Sequence, residues 1–405
     1  MKKREFIAML VSAFVLCSCV TLAGCGSETG NESTKTSDSS LAASADSGQV
    51  MSEVAEKLSA SSGNPEFFAA DFGEVDISAA LSGKKIMVVA YDSTNDWCVN
   101  YAKMADAVYK KVGASSDINY CDGTTDSWIS AIQTGINQGY DAIDLFGISD
   151  IGQLQSVIDE AKAAGVYIQD THGTDISDDS SNTDCSIGCD YAHAGELMAL
   201  QTISEIGDPS KVNCLVVADV GWGADTNVRN GITGVFDEYG CKYTVADVSI
   251  TDWTEGIGNA VRNAFVADSS YNSVIAFYDN MCLYVVPALE ELGISKDDVV
   301  VGSFNGNPGL IDYVASGNMD YDLGESIGWC ACHAADCMAR NFAGQEVHNK
   351  SGFAMYFITT DNSSDYIDPS VGKASYSYDG VQDIYLKGYS ELWGVDMTDV
   401  FASVE

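Results

Sequence analysis

Lys85-Ile86-Met87-Val88-Val89-Ala90, with Tyr91-Asp92-Ser93-Thr94-Asn95-Asp96-Trp97 directly behind it, is the stretch that decides the fold. An apolar run this short, with no polar alternation, reads as a strand buried on both faces, as strands of parallel sheets are. The polar loop leads into an amphipathic stretch over residues 97–112, a helix by its spacing. The same strand–loop–helix unit recurs. Residues 141–146, 166–170, 213–218, 273–278 and 299–304 read as strands. Helical periods over 151–164, 195–206, 257–265 and 281–292 lie between most of them. This alternation predicts an α/β protein with parallel sheets covered by helices on both faces. Length favours two such sheets over one large one.

In open α/β sheets the ligand sits at the carboxyl ends of the strands. The loops behind each run therefore hold the candidate site. They are Tyr91 to Trp97, Asp122-Gly123-Thr124-Thr125, Asp170-Thr171-His172, Asp219 to Arg229, Tyr278-Asp279-Asn280 and Asn305-Gly306-Asn307. Carboxylates, amides and aromatic rings dominate them, and cations are few. That set suits a neutral polyhydroxylated ligand, with polar groups on its hydroxyls and indole faces over its C–H side. A phosphate or nucleotide would need Gly-rich backbone and Lys or Arg instead.

The whole chain has 405 residues, with 59 Asp and Glu against 20 Lys and Arg and a formal net charge of −39. This acidity excludes nucleic acid as a partner and disfavours a basic dock on anionic lipid, since both need clustered cations. Before the first strand the composition changes twice. Lys2, Lys3 and Arg4 precede an apolar stretch over residues 6–20, too short to span a bilayer, and then Leu22-Ala23-Gly24-Cys25. That string resembles the bacterial lipoprotein box, which implies a signal peptide over 1–24 and lipidation of Cys25. An ordinary secretory signal with an incidental Cys25 is the alternative. Residues 26–63 are rich in Ser, Thr, Asp, Gly and Ala and lack aromatic rings, so 25–83 is expected to be a flexible tether, with residues 51–58 its one candidate helix.

Of the 13 cysteines, Cys17, Cys19 and Cys25 fall in or at the end of the leader. A body this long does not need disulfide stapling. Cys214 and Cys282 sit in apolar surroundings as core residues, and a Cys185–Cys189 pair stays open. Cys330-x-Cys332-His333-x3-Cys337 invites a metal reading. On a helix, however, Cys332 points away from the face shared by Cys330, His333 and Cys337, so a Cys-rich packing helix is preferred. His172, His193, Cys185 and Cys189 have irregular spacing for zinc. Gly221-Trp222-Gly223-Ala224-Asp225-Thr226 lacks the third glycine of a dinucleotide fingerprint, and no hydrolase or nucleotide-binding motif appears. No metal and no cofactor are expected.

The first strand and turn, Asp170 at a strand end, Asp252-Trp253 before a helix, and Val301-Gly302-Ser303-Phe304-Asn305-Gly306-Asn307-Pro308 occur together in this order. With them the chain, over about residues 84–360, resembles the periplasmic sugar-binding proteins of the ribose/galactose type. The likeness implies two Rossmann-like lobes joined by a three-crossover hinge, with the ligand trapped between them. The crossovers would fall near Cys189/Asp190, Glu325/Ser326 and Tyr356 to Ile358. The first lobe would be 84–189 with 326–356, and the second 190–325 with 357–405, including a C-terminal extension of no assigned role.

The resemblance also implies site residues. Trp97 and Trp253 match stacking aromatics, Asn95 or Asp96 a hydroxyl partner, and Asp170 a carboxylate taking two hydroxyls. Tyr278 or Asp279, Asn305 and Glu325 match further polar positions. Three departures stand out. Thr171 replaces a common Arg, Arg229 is one residue out of register with a second, and Asn305 replaces the usual Asp. These point away from ribose and leave another pentose, a hexose, a polyol or a small signalling ligand open. The expected protein is a monomeric, exported, lipid-anchored solute receptor that hands a sugar to the transmembrane permease of an ABC importer and breaks no bond. The alternatives are a receptor presenting its ligand to a membrane sensor, and an extracellular carbohydrate-active α/β enzyme using cleft carboxylates as acid and base.

Overall fold

The first sheet is entirely parallel. Its strands are β1 (Lys85–Ala90), β2 (Ser115–Tyr120), β3 (Ala142–Phe146), β4 (Tyr167–Asp175) and β5 (Cys185–Cys189), in the order β2-β1-β3-β4-β5. The second sheet holds β6 (Asn213–Val220), β7 (Lys242–Ser249), β8 (Ser273–Ala276), β9 (Val300–Asn305), β10 (Tyr321–Glu325) and β11 (Met355–Thr359). Its order is β11-β10-β9-β8-β6-β7, parallel except for the antiparallel pair β10–β11. In this computed structural model residues 40–148, 150–178, 181–349 and 353–404 are described. The leader and Cys25 lie outside the described residues. No helix among the described residues is long and apolar enough to cross a membrane.

Each strand legible as an apolar run is an inner strand. β3 and β8 are buried throughout, and β1 and β6 nearly so, because helices cover both faces. Beneath the first sheet, Asp144 is fully buried yet accepts hydrogen bonds from Tyr101 and Tyr109 hydroxyls (2.9 Å each) and Thr171 Oγ1 (2.7 Å). Burial still pushes its carboxyl up. Against the second sheet, helices Tyr191–Ile206 and Asp225–Tyr239 approach backbone to backbone. A Cβ on Gly231 would fall 2.1 Å from the Ala192 carbonyl oxygen, so glycine is required there.

The chain leaves the first sheet at Cys189 and enters helix Tyr191–Ile206, capped by Asp190, beside the second sheet. It returns at Glu325–Ser326 into a crossing helix, Ile327–Ala343, that packs on helix Asp96–Lys111 of the first lobe. The third passage differs from expectation. β11 already belongs to the second sheet from Met355, so the chain passes over between residues 344 and 354.

Two further expectations change. The segment before β1 is not a tether up to residue 83. Helix Ser40–Leu58 buries Val54 and Leu58, and helix Ile77–Leu81 buries Ile77 and Leu81. Phe67 and Phe68 lie on the crossing helix, Phe68 stacking on Trp329 with centroids 5.4 Å apart. Nor does all of 357–405 go with the second lobe. After β11, helix Gln382–Trp393 returns to the crossing helix, where Tyr385 stacks on Trp329 and Trp393 Nε1 donates to Asp336 Oδ1 at 2.8 Å. Residues Ser44–Glu405 form one unit.

Among the described residues ten cysteines are unbridged, nine of them buried and Cys241 half-buried. Burial pushes the Cys98 and Cys214 thiols up to about 12. Cys185 and Cys189 stand four residues apart on one strand, roughly 13 Å at strand rise and beyond disulfide reach. The crossing helix is buried through Arg340, with Cys330, Cys332 and Cys337 in its packing.

Candidate ligand-binding cleft

The strand ends of both sheets open onto one cleft of about 730 Å³, part of it open to solvent. From the first lobe come Tyr91, Asn95, Trp97, Cys98 and His172. The second contributes Tyr191, Asp219, Trp222, Ile250, Trp253, Tyr278, Asp279, Asn280, Asn305 and Asn307, with Gly221 in the backbone. Aromatic faces line the space from both sides. Trp222 lies 5.6 Å from Tyr278 and 6.3 Å from Tyr91, centroid to centroid, and Trp253 lies 6.5 Å from Tyr278.

Local sequence places the polar groups. Asn95 caps helix Asp96–Lys111, its Oδ1 accepting from the Trp97 amide at 3.0 Å. Asp219 ends β6 with its side chain fully buried. Its Oδ1 accepts from Trp253 Nε1 at 3.0 Å, while Oδ2 has no protein partner. Asn305 Oδ1 and Trp222 Nε1 are likewise buried without protein partners. Buried polar atoms cost free energy unless bonded, so these three are open to the polar groups of a ligand. Asp279 is held by Asn307, whose backbone amide and Nδ2 each donate at 2.6 Å. Asp225 stands behind the wall, accepting from the Tyr278 hydroxyl (3.0 Å) and the Trp222 amide (2.8 Å). Burial and the neighbouring Asp219 push its carboxyl up to about 7. Two non-glycine residues with positive φ, His172 (59°) and Asn305 (138°), both face the cleft, which places strained backbone where the ligand would contact it.

The structure brings together six of the predicted positions on this cleft: Asn95, Trp97, Trp253, Tyr278, Asp279 and Asn305. Glu325 instead lines a smaller adjoining cavity with Trp97, Asn307 and Tyr376. Its carboxylate meets His172 Nε2 and accepts from the Cys189 thiol at 3.3 Å. Asp96 is exposed and does not line the cleft. Arg229 pairs with Asp247 outside it. Thr171 turns inward to Asp144.

Asp170 is also turned away. It is fully buried mid-strand, because β4 continues to Asp175, and it accepts from Ser186 Oγ at 3.1 Å. Trp97 is largely core, packed on Phe146 with centroids 4.6 Å apart. Sequence reasoning did not single out Tyr91, His172, Tyr191, Asp219, Trp222, Asn280 or Asn307. All but Tyr191 nevertheless lay in the loops it marked, within four residues of the end of an apolar run read from the sequence.

Asp170 yields a prediction. Burial raises its carboxyl to about 7 in the folded protein, against roughly 3.9 unfolded. The folded state therefore holds a proton that the unfolded state has lost. The contribution of this group to stability is greatest below about pH 4, falls as pH rises towards 7, and is flat above. Asp170→Asn removes this dependence. Relative to the parent it should gain about 2–3 kcal/mol between pH 5 and pH 8 in urea unfolding. A difference that does not move with pH would contradict the burial argument.

Among the described residues, His172, Cys189 and Glu325 form the one group whose ligand atoms could converge on a metal, all within 4.8 Å of one another. They already satisfy each other: Glu325 takes His172 and the thiol, and the Tyr191 hydroxyl lies 2.9 Å from His172 Nδ1. Burial and Glu325 hold the Cys189 thiol up, opposing the thiolate a metal would need.

No curated protein sequence matches the chain. Among solved structures, an ABC transporter periplasmic solute-binding protein from Actinobacillus succinogenes with bound D-allose superposes with a TM-score of 0.62 at 21% identity, covering 70% of this chain and 100% of that one. The binding protein of the arabinose ABC transporter from Shewanella, bound to L-arabinofuranose, gives 0.62 at 19% identity, covering 69% and 93%. A Caulobacter myo-inositol binding protein gives 0.60 at 16%, covering 69% and 95%. These likenesses concern the fold. The family model described as periplasmic binding protein domain matches residues 86–346. The chain belongs to the periplasmic binding protein family.

Proposed function

We propose that this protein is an exported solute receptor that captures a monosaccharide or similarly sized polyol and delivers it to the permease of an ABC importer. A lipid on Cys25 would hold it at the outer face of the cell membrane. The observation that carries the reading is the cleft itself, with aromatic faces from both lobes around buried, unpartnered Asp219 Oδ2, Asn305 Oδ1 and Trp222 Nε1. Such a set stacks on the C–H face of a sugar ring and bonds its hydroxyls. Solved structures of the same fold with D-allose, L-arabinofuranose or myo-inositol lend support. The first lobe comprises 84–189 with the crossing helix, and the second 190–325 with β11. Ligand touching both lobes selects their closed arrangement about the strands between them. Thermal-shift screening against pentoses, hexoses, amino sugars and cyclitols tests this. A binding sugar raises the melting temperature with its concentration by mass action, whereas a flat response across the panel rejects the sugar reading.

A further inference from the structure

We propose that the cleft is built for a cationic ligand, a sugar or cyclitol carrying one protonated amine whose ammonium sits on Asp219. This rests on the reading above that the cleft takes a monosaccharide-sized polyol, and replaces the neutral ligand expected from sequence. Three independent observations support it.

The first is the orphaned oxygen. Asp219 is fully buried, its Oδ1 takes the Trp253 indole N–H at 3.0 Å, and Oδ2 has no protein partner although the residue lines the cleft. A ligand hydroxyl could donate to Oδ2, but would leave the carboxylate charge uncompensated in a water-poor site. An ammonium supplies both the donor and the charge.

The second is the missing counter-ion. Among the described residues, no lysine or arginine lines the cleft. Arg229, on the helix that follows Asp219, is engaged by Asp247. His172, the one basic side chain in the lining, is engaged by Glu325 and Tyr191. Asp279 and, behind the wall, Asp225 add further acidic groups.

The third is the aromatic wall. Tyr91, Trp222, Tyr278 and Trp253 form a chain of rings with neighbouring centroids 5.6 to 6.5 Å apart. The Tyr278 hydroxyl and the Trp253 indole N–H both donate to carboxylates, at 3.0 Å each, which enriches their ring faces in electron density. Electron-rich faces around a buried carboxylate attract a cation, and flat faces equally suit the C–H side of a sugar ring.

Isothermal titration of the purified protein tests this with matched probes: glucosamine, glucose and N-acetylglucosamine; galactosamine and galactose; an aminocyclitol and myo-inositol. The amine of at least one set should bind about tenfold or more tightly than its hydroxyl counterpart. N-Acetylation, which removes the charge, should abolish that advantage. Asp219→Asn, which keeps the shape, should bring amine and hydroxyl probes to equal affinity. The comparison among matched probes on the parent protein stands alone should that variant fail to fold. Neutral sugars binding as tightly as their amines would overturn the inference while leaving the sugar reading intact. Binding of none of these probes would overturn the inference, and a flat response across the wider panel with pentoses as well would overturn both.

Discussion

Trp253→Ala should weaken binding of whichever probe sugar the parent protein takes by about 2–3 kcal/mol, roughly 30- to 150-fold in Kd. The indole is an aromatic face of the cleft and also donates to Asp219 Oδ1, so its removal strips a stacking surface and takes a hydrogen bond from a buried carboxylate. Trp253 is only partly buried and begins a single wide turn, Trp253–Ile257, of the i→i+5 kind often found at functional sites. The unliganded variant should therefore melt near the parent temperature. Titration calorimetry and a melting curve read both quantities, and unchanged affinity would remove Trp253 from the ligand contact. Trp97→Ala makes the contrast. Trp97 is 6% exposed and packed on Phe146 and His172, so its truncation should cost about 3–5 kcal/mol of stability along with any affinity.

Arg340→Ala should destabilise the protein by about 3–5 kcal/mol. Arg340 is 2% exposed and its Nε donates to Asp336 at 2.6 Å, within the core of the crossing helix. Its guanidinium continues to the carbonyl oxygens of Phe72 (3.0 Å) and Gly73 (2.8 Å), tying the segment before β1 to that helix. Truncation leaves Asp336 buried, with Trp393 Nε1 as its remaining donor. The variant should melt several degrees lower, and limited proteolysis should begin between residues 62 and 83 before the sheets are cut. Parent-like melting and cleavage would show that the pair contributes nothing net.

Inner strands were legible because helices on both faces demand uninterrupted apolar side chains. β1, β3, β4, β6, β8 and β9 were all visible on that basis, whereas the inner strand β10 was not, because Asp322, Gly324 and Glu325 break its apolar run. β2, β5, β7 and β11 were not, since each is an edge strand. Ser-Ser-Asp-Ile-Asn-Tyr in β2 and Lys-Tyr-Thr-Val-Ala-Asp-Val-Ser in β7 alternate or carry polar residues towards solvent. The site failed differently. Asp170-Thr171-His172 reads as the polar loop closing β4, yet the strand runs on to Asp175 fully buried. Ser186, Asp144 and Tyr191, distant in sequence, satisfy these polar groups. Only three-dimensional neighbours distinguish such a strand from a loop. Trp222 was hidden by a weak likeness of Gly221-Trp222-Gly223 to a nucleotide turn. Phe67, Phe68 and Phe72, three aromatics in a supposed tether, were the overlooked sign that this segment packs.

The ten unbridged cysteines also have an experimental use. Nine are shut away from reagents, and burial pushes the thiols of eight of these up, so these sites should be nearly inert to alkylation in the folded molecule. Modification at each site then requires that part of the chain to open. Pulsed alkylation read by mass spectrometry would turn the cysteines into built-in clocks spread over both sheets and the crossing helix. Cys98 stands in the cleft wall and Cys189 at the exit from the first sheet. Slower labelling of these two under ligand than of Cys214, deep in β6, would locate the rigidity that binding confers without attaching any probe.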